Sequence, residues 1–181
     1  MSSLCQAPSV TNLFDRDELI AIFTSDAKAL GRMLPLIKEQ CRIDVGEERF
    51  IIVDCSKVDG FGIEIEKGLQ VNVEEVSPLM VALAKQVVKH DRDRQAEHKL
   101  RAIIFECTEL PPYSDAVRAA TGLPVFDSIS TSNAFMASMQ DNPLFGASDW
   151  QEKWDGKQDD YHFGDNLTAE QKAKITWQTK K

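Results

Sequence analysis

The chain has 181 residues, 43% of them hydrophobic, which suffices for one globular domain with a real core. Its formal net charge of -8 offers no basic block to neutralise phosphates, which argues against a nucleic-acid partner. No run approaches the roughly 18 consecutive apolar residues that span a bilayer, and no signal-peptide core opens the chain, so the expectation is a soluble intracellular protein without a membrane partner.

Residues 1–17 show no sustained helix or strand period, although Leu4, Val10, Leu13 and Phe14 are apolar enough to pack. Leu19 to Phe23 reads as a buried strand, followed by Ser25 or Asp26 as an N-cap and a helix over Ala27 to Cys41. Leu30, Met33, Leu34 and Ile37 form its inward stripe, and Pro35 should kink it or split it in two. Phe50 to Val53 is the next strand, running into Asp54 and Cys55. The loop after it, with Gly60, Gly62 and Gly68, is long for an α/β connection, and long loops are often functional or mobile. Asn72 suits the cap of a helix starting near Val73 with Pro78 in its early turns, and Val76, Met80, Leu83, Ala84 and Val87 face the core. His90 to Lys99 reads as a solvated helix end; its His90 and His98 have no third ligand nearby, so no metal site is expected.

Ala102 to Phe105 is a continuous apolar run, too short for a helix and suited to a strand buried on both faces. It leads through Glu106 to Cys107, Thr108 and Glu109, then to Pro111 and Pro112, where a helix can start, and to Gly122, which suits its end. Cys107 thus stands between a strand's carboxyl end and a helix's amino end, where open α/β sheets bind ligands and where a thiolate or carboxylate is stabilised. Two readings of Cys107 are open, a reactive thiol and a small hydrophobe. Pro124 to Phe126 is a short fourth strand, and Asp127 or Ser128 begins a helix with Ile129, Phe135, Met136 and Met139. Strand and helix alternating at this spacing imply an α/β fold, a parallel sheet of about four strands flanked by helices with right-handed crossovers.

From Asn142 to Asn166 the aromatics Phe145, Trp150, Trp154, Tyr161 and Phe163 stand among charged residues, as in an irregular arm anchored to an existing surface. Thr168 to Trp177 is a candidate final helix. The expected organisation is 1–17 as a linker or remnant, 18–141 as the α/β domain and 142–181 as the arm. The four cysteines, Cys5, Cys41, Cys55 and Cys107, form no Cys-x-x-Cys pair and no zinc spacing, which fits reduced thiols rather than a disulfide framework. Phosphate-loop, dinucleotide and nucleophile-elbow signatures are all lacking.

Glu106-Cys-Thr-Glu-Leu-Pro-Pro-Tyr-Ser-Asp-Ala-Val-Arg, followed by Thr121-Gly-Leu-Pro-Val-Phe-Asp, resembles the carboxyl-terminal catalytic segment of the aspartate/glutamate racemase superfamily. Within it, the match is to the algal dimethylsulfoniopropionate lyases, whose tail Asn142-Pro-Leu-Phe-Gly, Asp149-Trp-Gln-Glu-Lys-Trp-Asp-Gly and Phe163-Gly also resemble. The resemblance implies two pseudo-symmetric α/β lobes, with a cysteine from each facing the other across a cofactor-free cleft, and a homo-oligomer, a tetramer being one form of it. This chain is then expected to carry the second lobe and the arm but to lack much of the first, so residues 1–17 would be what is left of that lobe or a linker. By its match to the motif, Cys107 is the catalytic thiolate that removes the α-proton of a sulfonium carboxylate. Thr108 is either the contact to the substrate carboxylate or a helix cap. Glu106 and Glu109 support the site or are merely solvated. Cys5 does not match the first-lobe motif; Cys55 ends a strand and shares the rim only if that strand lies beside the one bearing Cys107. The implied reaction is elimination of dimethyl sulfide from dimethylsulfoniopropionate to leave acrylate. The alternatives are a non-catalytic paralogue acting as an assembly subunit and a cofactor-independent amino-acid racemase.

Overall fold

The structure, a computed structural model, describes residues 3–93, 99–139 and 168–170. The chain divides into two units, Met1–Gln140 and Asp141–Lys181. Of the second, only Thr168, Ala169 and Glu170 are described, the last two helical. The aromatic arm, most of the helix expected over Thr168 to Trp177, and His98 lie outside the described residues.

Four strands, β1 (Leu19–Thr24), β2 (Phe50–Asp54), β3 (Leu100–Phe105) and β4 (Val125–Phe126), form an all-parallel sheet in the order β2-β1-β3-β4. Ile22 is the midpoint, pairing with Ile52 on one side and Ile104 on the other. The two central strands are sealed on both faces: Ile20 to Phe23 and Ala102 to Phe105 are all fully buried. That is why they read as unbroken apolar runs rather than as alternating ones.

Side chains alternate between the two faces of the sheet. Ala21, Phe23, Val53, Ile103 and Phe105 pack against Val76, Met80 and Ala84 of a long helix, labelled α5 below. Ile20, Ile22, Phe50, Ala102 and Ile104 meet Leu30, Ile37 and Cys41 on the other face. The N-terminal residues join that second cluster, which corrects the expectation of an unpatterned segment. Ser3–Gln6 forms a 3-10 turn and Ala7–Thr11 a short helix, α1. Leu4 and Ala7 are fully buried there and Val10 is nearly so, whereas Leu13 is exposed. Leu4, Ala7 and Val10 fall three residues apart, a helical face too brief to register as a period.

The helix expected over Ala27 to Cys41 is split, as Pro35 required, into α2 (Ala27–Arg32) and α3 (Leu34–Cys41). Pro35 falls in the first turn of α3, where its missing N–H has no partner to lose. Asp26 caps α2, its carboxylate accepting from the amides of Lys28 and Ala29. Met33 forms the break between them and is 47% exposed, so it leaves the inward stripe that Leu30 and Ile37 keep. The connection after β2 is not a bare loop, since it contains α4 (Gly62–Lys67), closed by Gly68 at φ 64°. Asn72 then caps α5 (Val73–Asp93) by accepting from the amides of Glu74 and Glu75.

Beyond β3 the two prolines open a 3-10 turn, Pro111–Tyr113, and the α-helix proper, α6 (Ser114–Thr121), begins only after it. Gly122, at φ 72°, ends that helix as expected. After β4, Asp127 and Ser130 form a reciprocal capping box at the start of α7 (Ser128–Ala137). This last helix buries none of its residues; Ile129, Phe135 and Met136 are all exposed, as is Met139 just beyond it. No helix among the described residues is long and apolar enough to cross a membrane.

Candidate functional site

The strand order places a topological switch between β1 and β3. The chain leaves β1 for β2 on one side, and the next crossover returns past β1 to β3 on the other. Crossovers diverging from neighbouring strands open a crevice at the strands' carboxyl ends, the usual ligand position in open α/β sheets. Thr24 ends β1 at that crevice, while Glu106 and Cys107 follow β3 into it.

Backbone bonds continue the ladder just past the strands and fix this rim. The Glu106 amide donates to the Phe23 carbonyl (2.8 Å) and the Cys55 amide to the Thr24 carbonyl (2.9 Å). Thr24 is only 2% exposed. Its hydroxyl donates to Glu106 Oε2 at 3.1 Å, bridging the two strand ends on either side of the switch.

Cys107 is half-buried and starts a turn closed by the Leu110 amide donating to its carbonyl (3.2 Å). Thr108 and Glu109, next along the turn, are exposed. Among the described residues, no hydrogen bond engages the Cys107 sulfur or the Thr108 hydroxyl. Cys107 and Thr108 thus stand just past the end of β3, the Cys107 side chain packed in part against the core cluster that includes Phe23 and Phe105 and Thr108 exposed. The cap reading of Thr108 fails, because α6 begins six residues later and Tyr113 occupies its N-cap position.

The other cysteine of the strand ends has a different setting. β1 lies between β2 and β3, so Cys55 does not neighbour the Cys107 strand. Its sulfur is fully buried against Met80 (3.8 Å), and burial, with the nearby Asp54 carboxylate and Cys107, pushes its thiol up to about 12. Such a thiol is packing, not a nucleophile at neutral pH.

Each strand runs into a carboxylate. All four are engaged by the fold. Asp26 caps α2; Asp127 caps α7 and accepts from Ser114, the first residue of α6. At Asp54 burial opposes ionisation, but the amides of Ser56 (3.0 Å) and Ala27 (3.4 Å) win and hold the carboxyl below its ordinary range. Glu106, bonded by Thr24, and exposed Glu109 are the acidic groups flanking Cys107 itself. Among the described residues no three His, Cys, Asp or Glu cluster closely enough to hold a metal ion.

Tyr113 belongs to the core. It is fully buried, its ring packed edge-on against Phe61 with centroids 6.0 Å apart. Sequence reasoning missed Thr24 and the Ser114–Asp127 pair. The signal for Thr24 was a lone hydroxyl closing the apolar run Leu19 to Phe23. A separate cleft of about 1010 Å³ runs along the free edge of β2, lined by Arg49, Ile51, Ile52, Leu83, Val87 and His90 among others. It does not include the Cys107 turn.

No protein-family model matches the chain, and no solved structure matches it. Curated proteins do. The chain is 51% identical, over 97% of its length, to dimethylsulfoniopropionate lyase 7 of Emiliania huxleyi (strain CCMP1516), of which it covers 50%. It is 48% identical over 97% of its length to dimethylsulfoniopropionate lyase 6 of the same organism, covering 45%. A dimethylsulfoniopropionate lyase of Durusdinium sp. clade D is 42% identical over 95% of this chain, which covers 55% of it. The chain thus spans about half the length of the curated relatives it matches. Along nearly its whole length the chain is thus similar to about half of a dimethylsulfoniopropionate lyase.

Proposed function

We propose that this chain takes part in the cleavage of dimethylsulfoniopropionate to dimethyl sulfide and acrylate, with Cys107 as the base. The observation that carries the reading is a half-buried thiol at the carboxyl end of a central strand, beside the switch point, in a chain 42–51% identical to proteins of that name. The Cys107 thiolate takes the proton from the carbon next to the substrate carboxylate, forming S–H. The C–H electron pair becomes the new C=C bond, and the bond from the β carbon to sulfur breaks, its pair leaving with neutral dimethyl sulfide. The thiol then returns its proton to solvent. The exposed Thr108 hydroxyl and backbone amide hold the carboxylate end, while Glu106 and Glu109 give the rim a negative potential that favours a sulfonium cation. No cofactor enters this scheme.

In this reading the α/β unit is the second lobe of a two-lobe racemase-like fold, and the working protein is a homo-oligomer. Incubating the purified chain with dimethylsulfoniopropionate and measuring headspace sulfide tests it. Sulfide release abolished by Cys107→Ala supports the proposal. A silent wild-type chain sinks it as stated and leaves the second reading, a non-catalytic subunit. That alternative requires the silent chain to form a complex with a full-length lyase. Exchange of the substrate α-hydrogen without sulfide release would instead indicate racemase-type chemistry.

A further inference from the structure

The sulfurs of Cys5 and Cys41 lie 3.8 Å apart, although 36 residues separate them in the chain. Cys5 belongs to the N-terminal 3-10 turn and is exposed; Cys41 is the last residue of α3 and is 7% exposed. A disulfide needs the sulfurs to close to about 2.0 Å, a shift of less than the present gap between two side chains that already touch. We infer that Cys5 and Cys41 are a dithiol that a peroxide converts to an intramolecular disulfide, fastening the N-terminal segment to α3.

The asymmetry of the pair sets the order of events. Exposed Cys5 meets the oxidant first. Its sulfur attacks one peroxide oxygen, the O–O bond breaks, one water leaves, and Cys5 becomes a sulfenic acid. The Cys41 sulfur then attacks the Cys5 sulfur; the S–S bond forms, the S–O bond breaks, and the hydroxyl departs with the Cys41 proton as a second water. Two thiols are oxidised and one peroxide is reduced to two waters. Burial, together with Cys5 and the Glu106 carboxylate, pushes the Cys41 thiol up to about 11, so Cys41 is not the sulfur oxidised first, and its attack on the Cys5 sulfenic acid is slow near neutral pH and quickens as pH rises.

The link has a structural reach beyond its own loop. Gln6, next to Cys5, donates from Nε2 to the Asp127 carbonyl (2.9 Å), and the Asp127 carboxylate accepts from Ser114 at the head of α6. A covalent tie at Cys5 therefore fixes one end of the chain of contacts that positions the helix following the Cys107 turn.

The test uses the full chain and hydrogen peroxide at a few equivalents, then alkylation and peptide mass spectrometry without reductant. The expected product is a linked peptide pair containing Cys5 and Cys41, lighter by two hydrogens, with Cys55 alkylated only after unfolding. The thermal midpoint of the oxidised chain should rise by about 5 °C or more over the reduced one. Cys5→Ser, at an exposed position, should fold normally and show neither the link nor the shift. The inference is overturned if peroxide couples Cys5 to Cys107 or to a second chain. It is equally overturned if Cys5 proceeds to sulfinic acid while Cys41 remains fully alkylatable on unfolding. None of these readouts requires lyase activity.

Discussion

Thr24 and Glu106 come from strands that neighbour one another in the sheet yet lie 82 residues apart in sequence, and their side chains meet at 3.1 Å over the switch point. The bond turns a pair of strand ends into a fixed rim and holds Glu106 beside the cysteine that follows it. Thr24→Val keeps the shape and removes the donor. Glu106 is only part-buried, so the loss is that of one net hydrogen bond, about 0.5–1.5 kcal/mol. The urea midpoint should fall accordingly, and any sulfide release supported by Cys107 should drop further than the stability loss explains. Thr24→Ser, which keeps the hydroxyl, should restore both.

Gly62 shows how tightly the connection after β2 is folded. A Cβ on it would stand 1.8 Å from the Ser56 carbonyl oxygen, and the obstructing atoms are backbone. Gly62→Ala must therefore displace α4 or the Ser56 turn. Overpacking of this kind typically costs about 1–3 kcal/mol or more, and the unfolding midpoint should report it. Gly68→Ala, where a Cβ meets nothing within 4 Å but φ is 64°, should cost less.

Leu4 is fully buried in the cluster that includes Ile20, Ile22 and Ile104. Leu4→Ala should cost about 2–5 kcal/mol, the range for a core leucine truncated to alanine. Equilibrium unfolding in urea decides the matter. A cost below about 0.5 kcal/mol, as for an ordinary surface change, would mean that the N-terminal turn is not seated in the core.

Cys55 carries a pH signature. The folded chain holds its thiol proton up to about 12, against an ordinary value of 9.0, because burial opposes the thiolate. Above pH 9 the unfolded chain releases that proton while the folded one keeps it, so the stabilisation is complete below that point and is lost as pH climbs toward 12. One such site gives a slope of up to about 1.4 kcal/mol per pH unit. Urea titrations at a series of alkaline pH values should show stability falling, and Cys55→Ala should flatten the fall.

Leu19 to Phe23 and Ala102 to Phe105 were legible because burial on both faces leaves an unmistakable mark, and Phe50 to Val53, an edge strand with Ile52 exposed, because its run of aromatic and β-branched residues suits a strand; all three are strands of the sheet. The same holds for Pro35, whose chemistry dictates a break wherever the chain goes. Cys107 and Thr108 were found at a strand end because that strand could be read. What stayed hidden depends on which pieces become neighbours. No local pattern says that β1 lies between β2 and β3 in the sheet, or that Thr24 reaches Glu106. The burial of Tyr113 was hidden for a related reason, since two prolines route the chain through a 3-10 turn that points the ring at Phe61. The N-terminal turn escaped notice because a helical face of three residues, one of them alanine, is too short to see.

Of the four strands described, the one that comes first in sequence ends up in the interior of the sheet, and that order matters on the ribosome. Leu19–Thr24 can pair with Phe50–Asp54 early, but its other edge waits for Leu100–Phe105. Until that later stretch emerges, one backbone edge and the apolar side chains of Ile20, Ile22 and Phe23 lack their final cover. Nascent chains stalled anywhere before residue 105 should accordingly be chaperone clients and prone to strand-mediated aggregation.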